Sequence, residues 1–193
     1  KDDQAESILA HIIRGSGLNG LTGMSVVQSE YAIPVVRPLL DVTKENLLAY
    51  IGTKQISYCV DSTNDDVRYQ RNRIRHRIIP ELEAVNPAVV DAIVRLGSSV
   101  NEDVMVISDL TARTFDKLVS IGKDEVRISR RALRQEPLAI QRRLWQRLVS
   151  TIDPELMLTS AHQEQLLDIV NTGEKKTFTI KSIKVIAQCD TIK

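Results

Sequence analysis

The sequence predicts an α/β part followed by a mainly helical part, and three observations lead to this prediction. Strand-like and helix-like patterns alternate in the first part of the chain, as they do where helices cover a sheet. Beyond Asn86-Pro87, apolar residues recur every three or four positions, which is the period of amphipathic helices. That Asn-Pro pair is itself a helix start signal near the change of pattern. We therefore expect two domains, over residues 1–83 and 84–193.

The elements of the first part follow from apolar spacing and from helix start and stop signals. A helix is expected to begin at Asp2-Asp3, whose charges suit the helix dipole, and to end at Gly15. The expected elements after it are a strand over 33–37, a helix over 44–54 with Thr43 as N-cap, and a strand over 56–60. Because no strand precedes the first helix, we expect an incomplete sheet in a chain that begins inside a domain.

The second part is expected to be built of helices that end in a hairpin. The apolar positions from Val89 to Leu110 predict one long amphipathic helix, and Ser129 is a suitable N-cap for a short helix that follows. The remaining expected elements are helices over 138–150 and 160–170 and a hairpin of strands 177–180 and 183–187.

Composition excludes several classes of protein. The 193 residues carry a net charge of +1, with 42% hydrophobic and 26% charged residues, which is ordinary for a globular protein and unlike a disordered tail or a polycation. Seven aromatic residues are too few for a surface that stacks successive bases. Two cysteines, Cys59 and Cys189, make neither a disulfide framework nor a zinc site. The default expectation is a cytoplasmic protein with no membrane partner.

The acidic pair at the start of the chain has two interpretations. Asp2 and Asp3 suit N-capping of a helix, and they equally suit a site for a cation, either Mg²⁺ on a nucleotide or the ammonium of an amine substrate. The glycines over 15–20 satisfy the dinucleotide-binding pattern, but they follow a helix, where glycine commonly ends the helix and forms a loop. We therefore give that pattern little weight.

Two clusters of arginine are candidate anion-binding surfaces. The first contains His76 and no acidic residue, and its arginines are Arg68, Arg71, Arg73, Arg75 and Arg77. Because arginine suits bidentate contacts with phosphate, one interpretation of this cluster is an anion-binding surface. The alternative is an ordinary surface on which these arginines pair with neighbouring acidic residues. The members of the second cluster are Arg130, Arg131, Arg134, Arg142, Arg143 and Arg147. Their spacing predicts a rail, that is, basic stripes on consecutive helices that contact a nucleic-acid phosphate backbone. The alternative is an ordinary exposed helix surface.

Several blocks of sequence, which occur in this order, resemble the tRNA(Ile)-lysidine synthase family of PP-loop ligases. The strongest blocks are Asp2-Asp3-Gln4-Ala5-Glu6-Ser7, Arg14-Gly15-Ser16-Gly17-Leu18-Asn19-Gly20-Leu21, Arg37-Pro38-Leu39-Leu40, Asp61-Ser62-Thr63-Asn64 and Arg71-Asn72-Arg73-Ile74-Arg75-His76. The resemblance is strong to about Pro87 and looser beyond it. It implies the C-terminal part of a Rossmann-like PP-loop domain, joined to a helical tRNA-recognition domain with a small terminal hairpin.

The resemblance implies an ATP-dependent ligase that joins L-lysine to C2 of the wobble cytidine in tRNA(Ile) with a CAU anticodon, through an adenylated cytidine. The implied cofactors are ATP and Mg²⁺, and the implied metal ligand is Asp2 or Asp3. The implied catalytic residues are Asp2, Asp3, Arg71, Asn72 and Arg75; the implied substrate-binding residues are Gln4, Glu6, Arg37 and Asn64. The second arginine cluster would bind the tRNA, and a homodimer is left open.

The sequence departs from the family in one respect. The Ser-Gly-Gly-x-Asp-Ser pyrophosphate loop does not occur in it, and its place would lie upstream of Lys1. We therefore expect the N-terminal pyrophosphate-loop portion to be missing and the chain alone to be inactive. Two alternatives remain: a related PP-loop tRNA thiolase, which the two isolated cysteines disfavour, and a catalytically incomplete RNA-binding module.

Overall fold

The computed structural model describes residues 1–28, 33–59, 61–123, 125–172 and 175–193. The chain forms two compact units, Lys1–Met105 and Val106–Lys193. The division between them falls inside a long helix, beyond the domain boundary at 83/84 that the sequence predicts. That boundary therefore stays a prediction, and each unit is described by itself.

The first unit begins with two helices. Helix α1 covers Asp2–Ile13, as the sequence predicts, and it buries Ala5, Glu6 and Ile8 on one face. Gly15 follows with φ of +75°, a left-handed conformation that glycine adopts without strain and that ends the helix. Helix α2 is a single turn over Leu18–Leu21. The buried carboxylate of Glu6 is the feature of α1 that apolar spacing alone does not explain.

The sheet of the first unit is small and antiparallel. Strand β1 (Val27–Gln28) pairs with β2 (Val35–Val36), and helix α3 then covers Lys44–Lys54 with the Thr43 side chain accepting a hydrogen bond from the Asn46 N–H at 3.2 Å. The helix and its cap are confirmed, and β2 is shorter than the strand predicted over 33–37. The parallel layer implied by a Rossmann-like domain is not confirmed by this antiparallel pair.

The predicted strand over 56–60 is wrong for the residues that the structure describes. Residues 56–59 have no regular secondary structure, and Ile56, Tyr58 and Cys59 are exposed; Val60 lies outside the described residues. A strand needs a neighbour to satisfy its backbone groups, and β1 and β2 pair only with each other among the described strands. The apolar residues of this short run therefore did not indicate a buried strand.

A nearly continuous helical stretch follows and carries the first arginine cluster. It starts with a 3₁₀ turn over Ser62–Asp65, then α4 over Gln70–Arg73, a π-helical turn over Ile74–Ile78 and α5 over Ile79–Val85. Pro80 lies in the first turn of α5, where its missing N–H is tolerated. Helix α6 covers Val89–Leu118, as the Asn86-Pro87 signal and the apolar period predict.

The second unit packs helices on a five-stranded antiparallel sheet. Its helices are α7 (Arg130–Gln135), α8 (Leu138–Ile152) and α9 (Ser160–Thr172). Its strands are β3 (Val119–Ile121), β4 (Val126–Ser129), β5 (Lys176–Ile180), β6 (Ile183–Gln188) and β7 (Thr191–Ile192), in the spatial order β3-β4-β7-β6-β5. The predicted hairpin is the β5–β6 pair.

The mainly helical prediction for the second part is thus incomplete, because it missed β3, β4 and β7. These strands have two to four residues each, and so short a run shows too few alternations to be recognised by its period. The core lies between the sheet and α8, whose Leu144, Trp145 and Leu148 are buried. In the described ranges, no helix combines the length and the apolar character needed to span a bilayer.

Candidate active site

A buried carboxylate holds two arginines together in the first unit. Glu6 is only 1% exposed, and its Oε1 accepts a hydrogen bond from Arg75 Nε at 2.6 Å. Its Oε2 accepts from Arg71 Nε at 2.7 Å and from the Arg75 terminal nitrogen at 3.0 Å. Both oxygens of this carboxylate are therefore occupied by guanidinium groups. Its predicted role as a direct substrate contact is replaced by that of a positioning group.

Asp3 joins the same network from the solvent side. One of its oxygens accepts from Arg71 at 2.6 Å and from Arg75 at 3.1 Å. The Asp3 and Arg71 side chains are 54% and 55% exposed, so both remain accessible to a ligand. The four charges of Asp3, Glu6, Arg71 and Arg75 form a balanced network with one buried end and one exposed end.

The spacing of the four side chains along their helices explains why they meet. Asp3 and Glu6 are three positions apart in α1 and therefore share a face. Arg71 lies in α4 and Arg75 in the π-helical turn, and the two elements are continuous, so the arginines lie one above the other. Ala5, Ile8 and Ile74 are fully or almost fully buried at this packing of α1 against the helical stretch.

The electrostatics of the network keep both arginines charged. Burial lowers the pKa of the Arg71 guanidinium, but the hydrogen bond with Glu6 and the charge of Asp3 outweigh that effect, so its pKa lies above the usual value. For Arg75 the hydrogen bond with Glu6 is the largest cause of a raised pKa. The two guanidinium groups are consequently fixed positive charges at the cavity beside them.

That cavity has a volume of about 520 Å³ and brings together five of the predicted site residues: Asp2, Asp3, Arg37, Arg71 and Arg75. Leu39, Leu40, Val42 and Leu47 line its apolar part, and Lys1 and Lys44 add positive charge. Mostly apolar walls with a few charged groups of both signs are typical of a small-molecule site. The arrangement can therefore bind a ligand that carries both an amine and an anionic group.

The position of Asp2 also has a structural purpose. Its Oδ2 accepts a hydrogen bond from the Lys44 backbone N–H at 2.7 Å, at the first residue of α3. A carboxylate at a helix N-terminus is stabilised by the helix dipole. Asp2 thus connects the start of α1 to the start of α3 at the wall of the cavity.

The acidic pair does not form a ready magnesium site. Mg²⁺ is bound by oxygen ligands in octahedral geometry, usually with one or two carboxylates, whereas Asp3 already faces two guanidinium groups. Over the described ranges, no group of three or more His, Cys, Asp or Glu side chains could hold a metal ion. Asp2 and Asp3 each keep one carboxylate oxygen that accepts no hydrogen bond from the described residues, and the predicted magnesium role stays a prediction.

Gln4 and Arg37 fix the chain segments that border the cavity. The Gln4 side chain donates to the Met24 carbonyl at 2.7 Å and accepts from the Met24 N–H at 2.6 Å. Gly23 has φ of +73°, and a Cβ there would lie 2.5 Å from Gln4 Oε1, so this approach requires glycine. Arg37 lines the cavity and donates to Gln28 Oε1 at 3.1 Å. Gln4 therefore acts through Met24, and Arg37 reaches the cavity itself.

Asn72 and Asn64 lie outside the cavity lining. Asn72 is buried, and its amide donates to the carbonyls of Thr63 at 2.8 Å and Asp66 at 3.0 Å. The Asn64 carbonyl lies 3.0 Å from His76 Nε2, while the Asn64 side chain is exposed. Both contacts fix the 61–66 loop on the helical stretch. Asn72 thus positions this loop. Because its side chain does not line the cavity, the structure does not support its predicted catalytic role.

The remaining members of the first arginine cluster divide into two groups. Arg68 pairs with Asp66, and this pairing lowers the pKa of the Asp66 carboxyl. Arg73 and Arg77 are exposed, and neither pairs with an acidic residue within the described ranges. They line a second cavity of about 520 Å³ with Ile13, Ile74 and Leu82. The interpretation as a paired surface thus holds for three of the arginines, and Arg73 and Arg77 keep the anion-binding interpretation.

One member of the second arginine cluster, Arg130, is not available for the rail that the spacing predicts. Arg130 is 4% exposed, and its guanidinium donates to the carbonyls of Ile169 and Cys189. It therefore stabilises the fold and cannot contact a tRNA phosphate, which corrects that assignment. Arg147 lies over the Phe115 ring at 4.7 Å and is exposed. Arg131, Arg134 and Arg142 are exposed, and Arg143 is half-buried.

Sequence reasoning missed the contribution of Lys44 and of the apolar residues 39–47 to the cavity. A signal was present in the Arg37-Pro38-Leu39-Leu40 block, whose residues line the cavity together. The capping contact between Asp2 and Lys44 joins residues 42 positions apart, and no spacing rule along the chain predicts such a contact.

Comparison with known proteins places these observations in a family context. The profile of the PP-loop domain family matches residues 1–82. The match begins at the first residue, which conflicts with the prediction that the PP-loop portion is missing, and the expectation that the chain alone is inactive is not supported.

The similar proteins are tRNA(Ile)-lysidine synthases. The enzyme of Porphyromonas gingivalis is 42% identical over 94 residues, which is 49% of this chain and 20% of that protein. The enzyme of Symbiobacterium thermophilum is 33% identical over 151 residues, 75% of this chain and 31% of that protein. The enzyme of Caldanaerobacter subterraneus is 29% identical over 191 residues, which is 96% of this chain and 40% of that protein. The chain thus spans less than half of these relatives, carries a PP-loop domain match at 1–82, and is similar to proteins named tRNA(Ile)-lysidine synthase.

Proposed function

We propose that this protein takes part in the ATP-dependent ligation of lysine to the wobble cytidine of tRNA(Ile) with a CAU anticodon. The observation that supports the proposal most directly is the network of Asp3, Glu6, Arg71 and Arg75 at the wall of a 520 Å³ cavity. The similarity to tRNA(Ile)-lysidine synthases supplies the substrate class. The cytoplasmic location stays a prediction.

The charged groups of the cavity match the charges of the proposed substrates. Lysine has ammonium groups, and the carboxylates of Asp2 and Asp3, which line the cavity, provide acceptors for one of them. Arg37, Arg71 and Lys44 are positive groups that would face the lysine carboxylate or a phosphate. ATP supplies the adenylyl group that makes the cytidine oxygen a leaving group. In this scheme the protein contributes orientation and fixed charge, and it needs no covalent nucleophile.

Glu6 and Asn72 support this scheme from outside the cavity. Glu6 fixes both guanidinium groups through their Nε atoms, so that their terminal nitrogens point toward Asp3. Asn72 fixes the 61–66 loop. Positive charges that are already oriented do not have to reorganise as charge develops, which is the main source of electrostatic stabilisation in such reactions.

The test is lysine transfer by the purified protein with ATP, labelled lysine and a tRNA(Ile) transcript with a CAU anticodon. We expect transfer to this transcript and none to a transcript with a different wobble base. Arg71→Ala is expected to lower kcat by roughly 100-fold, the usual effect of losing one positioned charge. Asp3→Asn is expected to raise the KM for lysine more than the KM for ATP, because the ammonium loses its acceptor.

Arg95→Ala is the matched control, since Arg95 is an exposed arginine of α6 that does not line the cavity. Its kinetic constants are expected to stay within twofold of the starting protein, as about that range is usual for exposed substitutions. The proposal fails if lysine is not transferred, or if Arg95→Ala lowers kcat as much as Arg71→Ala. Incorporation of sulfur that depends on Cys59 would instead establish the thiolase alternative.

A further inference from the structure

Two arginines of the same helical stretch line the second cavity of the first unit. The volume of this cavity is about 520 Å³. Arg73 ends α4, and Arg77 lies four positions further on in the π-helical turn that continues it. Side chains four positions apart on a helix are neighbours, with Cβ atoms about 5–6 Å apart. Because arginine side chains are long enough to bridge that separation, both guanidinium groups can reach one bound group.

The charges of Arg73 and Arg77 are not neutralised by the residues that the structure describes. Arg71 and Arg75 have the same spacing in the same stretch, and both pair with carboxylates at the first cavity. Arg73 and Arg77 are exposed and form no ion pair within the described ranges. Two like charges four positions apart destabilise a helix, and a bound anion removes that cost. The stretch therefore carries one balanced pair of arginines and one pair that can bind an anion.

The acidic residue that lines this cavity does not cancel its positive charge. Glu81 follows Arg77 by four positions and belongs to α5, yet no ion pair joins the two side chains in the described part of the chain. Two positive groups and one negative group leave the lining with a net positive charge. An anion is therefore attracted to the Arg73 and Arg77 side of the cavity, and Glu81 weakens this attraction.

The rest of the lining is uncharged and suits a sugar. Ile13, Ile78 and Leu82 supply an apolar wall, and Ile13 is 54% exposed. Gln70 precedes Arg73 in α4, and its side-chain amide can both donate and accept hydrogen bonds. A ribose presents carbon-bound hydrogens to such a wall and hydroxyl groups to such an amide. None of the described lining residues is aromatic, so the cavity offers no surface for base stacking.

We propose that this cavity binds one phosphate group of an RNA strand between Arg73 and Arg77, with the adjoining ribose against the apolar wall. Guanidinium groups bind phosphate through two parallel hydrogen bonds, and arginine and glutamine are common donors to the nucleic-acid backbone. A volume of about 520 Å³ is in the range of sites that hold a whole small molecule, so an inorganic phosphate ion alone would leave most of it empty. That RNA supplies the phosphate rests on the proposed function, because the charges and the wall specify only a phosphate with an attached sugar.

A backbone contact at this cavity would orient the RNA without reading its sequence. Contacts with phosphate and sugar position a nucleic acid and carry no direct sequence information. The same helical stretch carries Arg71 and Arg75 of the first cavity, so an RNA strand bound at the second cavity is attached to the element that holds the charged network. We therefore expect binding through this cavity to be equal for RNAs that differ at the wobble base.

The test is filter binding of two tRNA(Ile) transcripts at several salt concentrations, without ATP or lysine. One transcript has the CAU anticodon, and the other differs from it at the wobble base. The double variant Arg73→Ala/Arg77→Ala is expected to reduce the slope of log affinity against log salt by about 0.7–0.9, the value for one phosphate contact. The reduction should be the same for both transcripts. Two phosphates bound separately would reduce the slope by about twice as much, which overturns the shared site.

Three further variants separate a phosphate site from bulk charge. Arg73→Lys/Arg77→Lys keeps both charges, so the slope should stay while affinity falls by roughly two- to tenfold through lost guanidinium hydrogen bonds. Arg95→Ala removes one charge from an exposed arginine of α6 outside the cavity, and it should leave the slope unchanged. Glu81→Gln removes the opposing charge and should tighten binding by about twofold.

The proposal is overturned if the double alanine variant keeps the slope of the starting protein, or if Arg95→Ala reduces the slope as much. It is also overturned if the double variant loses affinity for inorganic phosphate or poly-L-glutamate but not for the transcripts, because the site then serves a free anion or an acidic peptide. Lysine transfer is measured separately. A reduced slope without lysine transfer supports this inference and rejects the proposed ligation alone, whereas lysine transfer with an unchanged slope does the reverse.

Discussion

Glu6 illustrates how one buried residue can organise a charged site. Its carboxylate contacts both Arg71 and Arg75, and each guanidinium then reaches Asp3 with a second nitrogen. A buried charge is costly unless it is fully paired, and here both oxygens are paired. The exposed half of the network is consequently held by a buried anchor, and the orientation of Arg71 does not depend on a ligand.

Glu6→Gln is expected to lower the free energy of unfolding by about 2 kcal/mol. The change removes the charge that pairs with two partly exposed guanidinium groups, and the loss is below the roughly 3–5 kcal/mol of a fully buried pair because water reaches Arg71. Urea unfolding measures the difference. Glu45→Gln is the control, since Glu45 is exposed on α3, and an equal loss in both variants would contradict the anchoring role of Glu6.

Arg130 and Arg131 are neighbours with opposite environments. Arg130 is buried and bonds to two carbonyls, whereas the Arg131 side chain is exposed. We expect Arg130→Ala to lower the free energy of unfolding by about 2–3 kcal/mol through lost packing and lost charge-assisted hydrogen bonds. Arg131→Ala should change it by less than about 0.5 kcal/mol. Thermal unfolding distinguishes the two, and equal midpoints would refute the buried position of Arg130.

At the scale of elements, helix α3 depends on its N-terminus. It buries none of its residues, and backbone N–H groups of its first turn donate hydrogen bonds to the side chains of Thr43 and Asp2. Thr43→Ala is expected to lower the free energy of unfolding by about 1 kcal/mol, the usual effect of removing a cap. Amide exchange at Asn46 and urea unfolding measure it.

The control for this cap is Thr53→Ala near the other end of α3, where the hydroxyl only donates to the Ala49 carbonyl of the preceding turn. This change should leave the hydrogen-exchange rate of the Asn46 amide unchanged, because it removes no capping contact. If the two variants speed exchange at Asn46 alike, the N-terminal cap is not what stabilises the helix.

The elements that sequence reasoning predicted are those with a long or locally signalled pattern. Helix α3 was found with its cap, and α6 was found from apolar residues that repeat over many turns. Strands β3, β4 and β7 were missed because each is too short to show a period. The strand predicted over 56–60 is wrong for the described residues 56–59. A strand forms only where another strand pairs with it, and the local sequence does not show whether such a partner is present.

The sequence identified several residues of the candidate site, but it did not identify the contacts between them. The family blocks pointed to Asp3, Arg71 and Arg75, and these side chains do meet. Their meeting depends on contacts between residues 68 and 72 positions apart, which local spacing cannot specify. The tRNA-binding assignment of Arg130 failed for a related reason, since a charged residue on a helix is normally exposed and only the packing of α7 against α9 buries it.

At the scale of the whole molecule, a net charge of +1 conceals local accumulations of positive charge. Arg131, Arg134 and Arg142 remain exposed in the second unit, as do Arg73 and Arg77 in the first. Basic side chains that replace counterions on a nucleic acid make binding depend on salt. A protein that is nearly neutral overall can therefore still bind a polyanion at separate patches.

Arg142→Ala is expected to weaken tRNA binding and to reduce the slope of log affinity against log salt by about one unit. Filter binding at several salt concentrations measures the slope. Gln135→Ala serves as an uncharged exposed control on α7, and it should leave the slope unchanged. An unchanged slope in Arg142→Ala would remove this residue from the second arginine cluster's predicted tRNA contacts.

The position of β7 has a consequence for the synthesis of the protein. The strand lies in the middle of its sheet, yet it follows β3, β4, β5 and β6 along the chain. On the ribosome the β3–β4 and β5–β6 hairpins can form early from neighbouring residues, but they stay separate sheets until β7 emerges. During that interval each hairpin exposes an edge that other nascent chains could join. Strand β7, the last of these five strands along the chain, thus ends the period in which this sheet is open to aggregation.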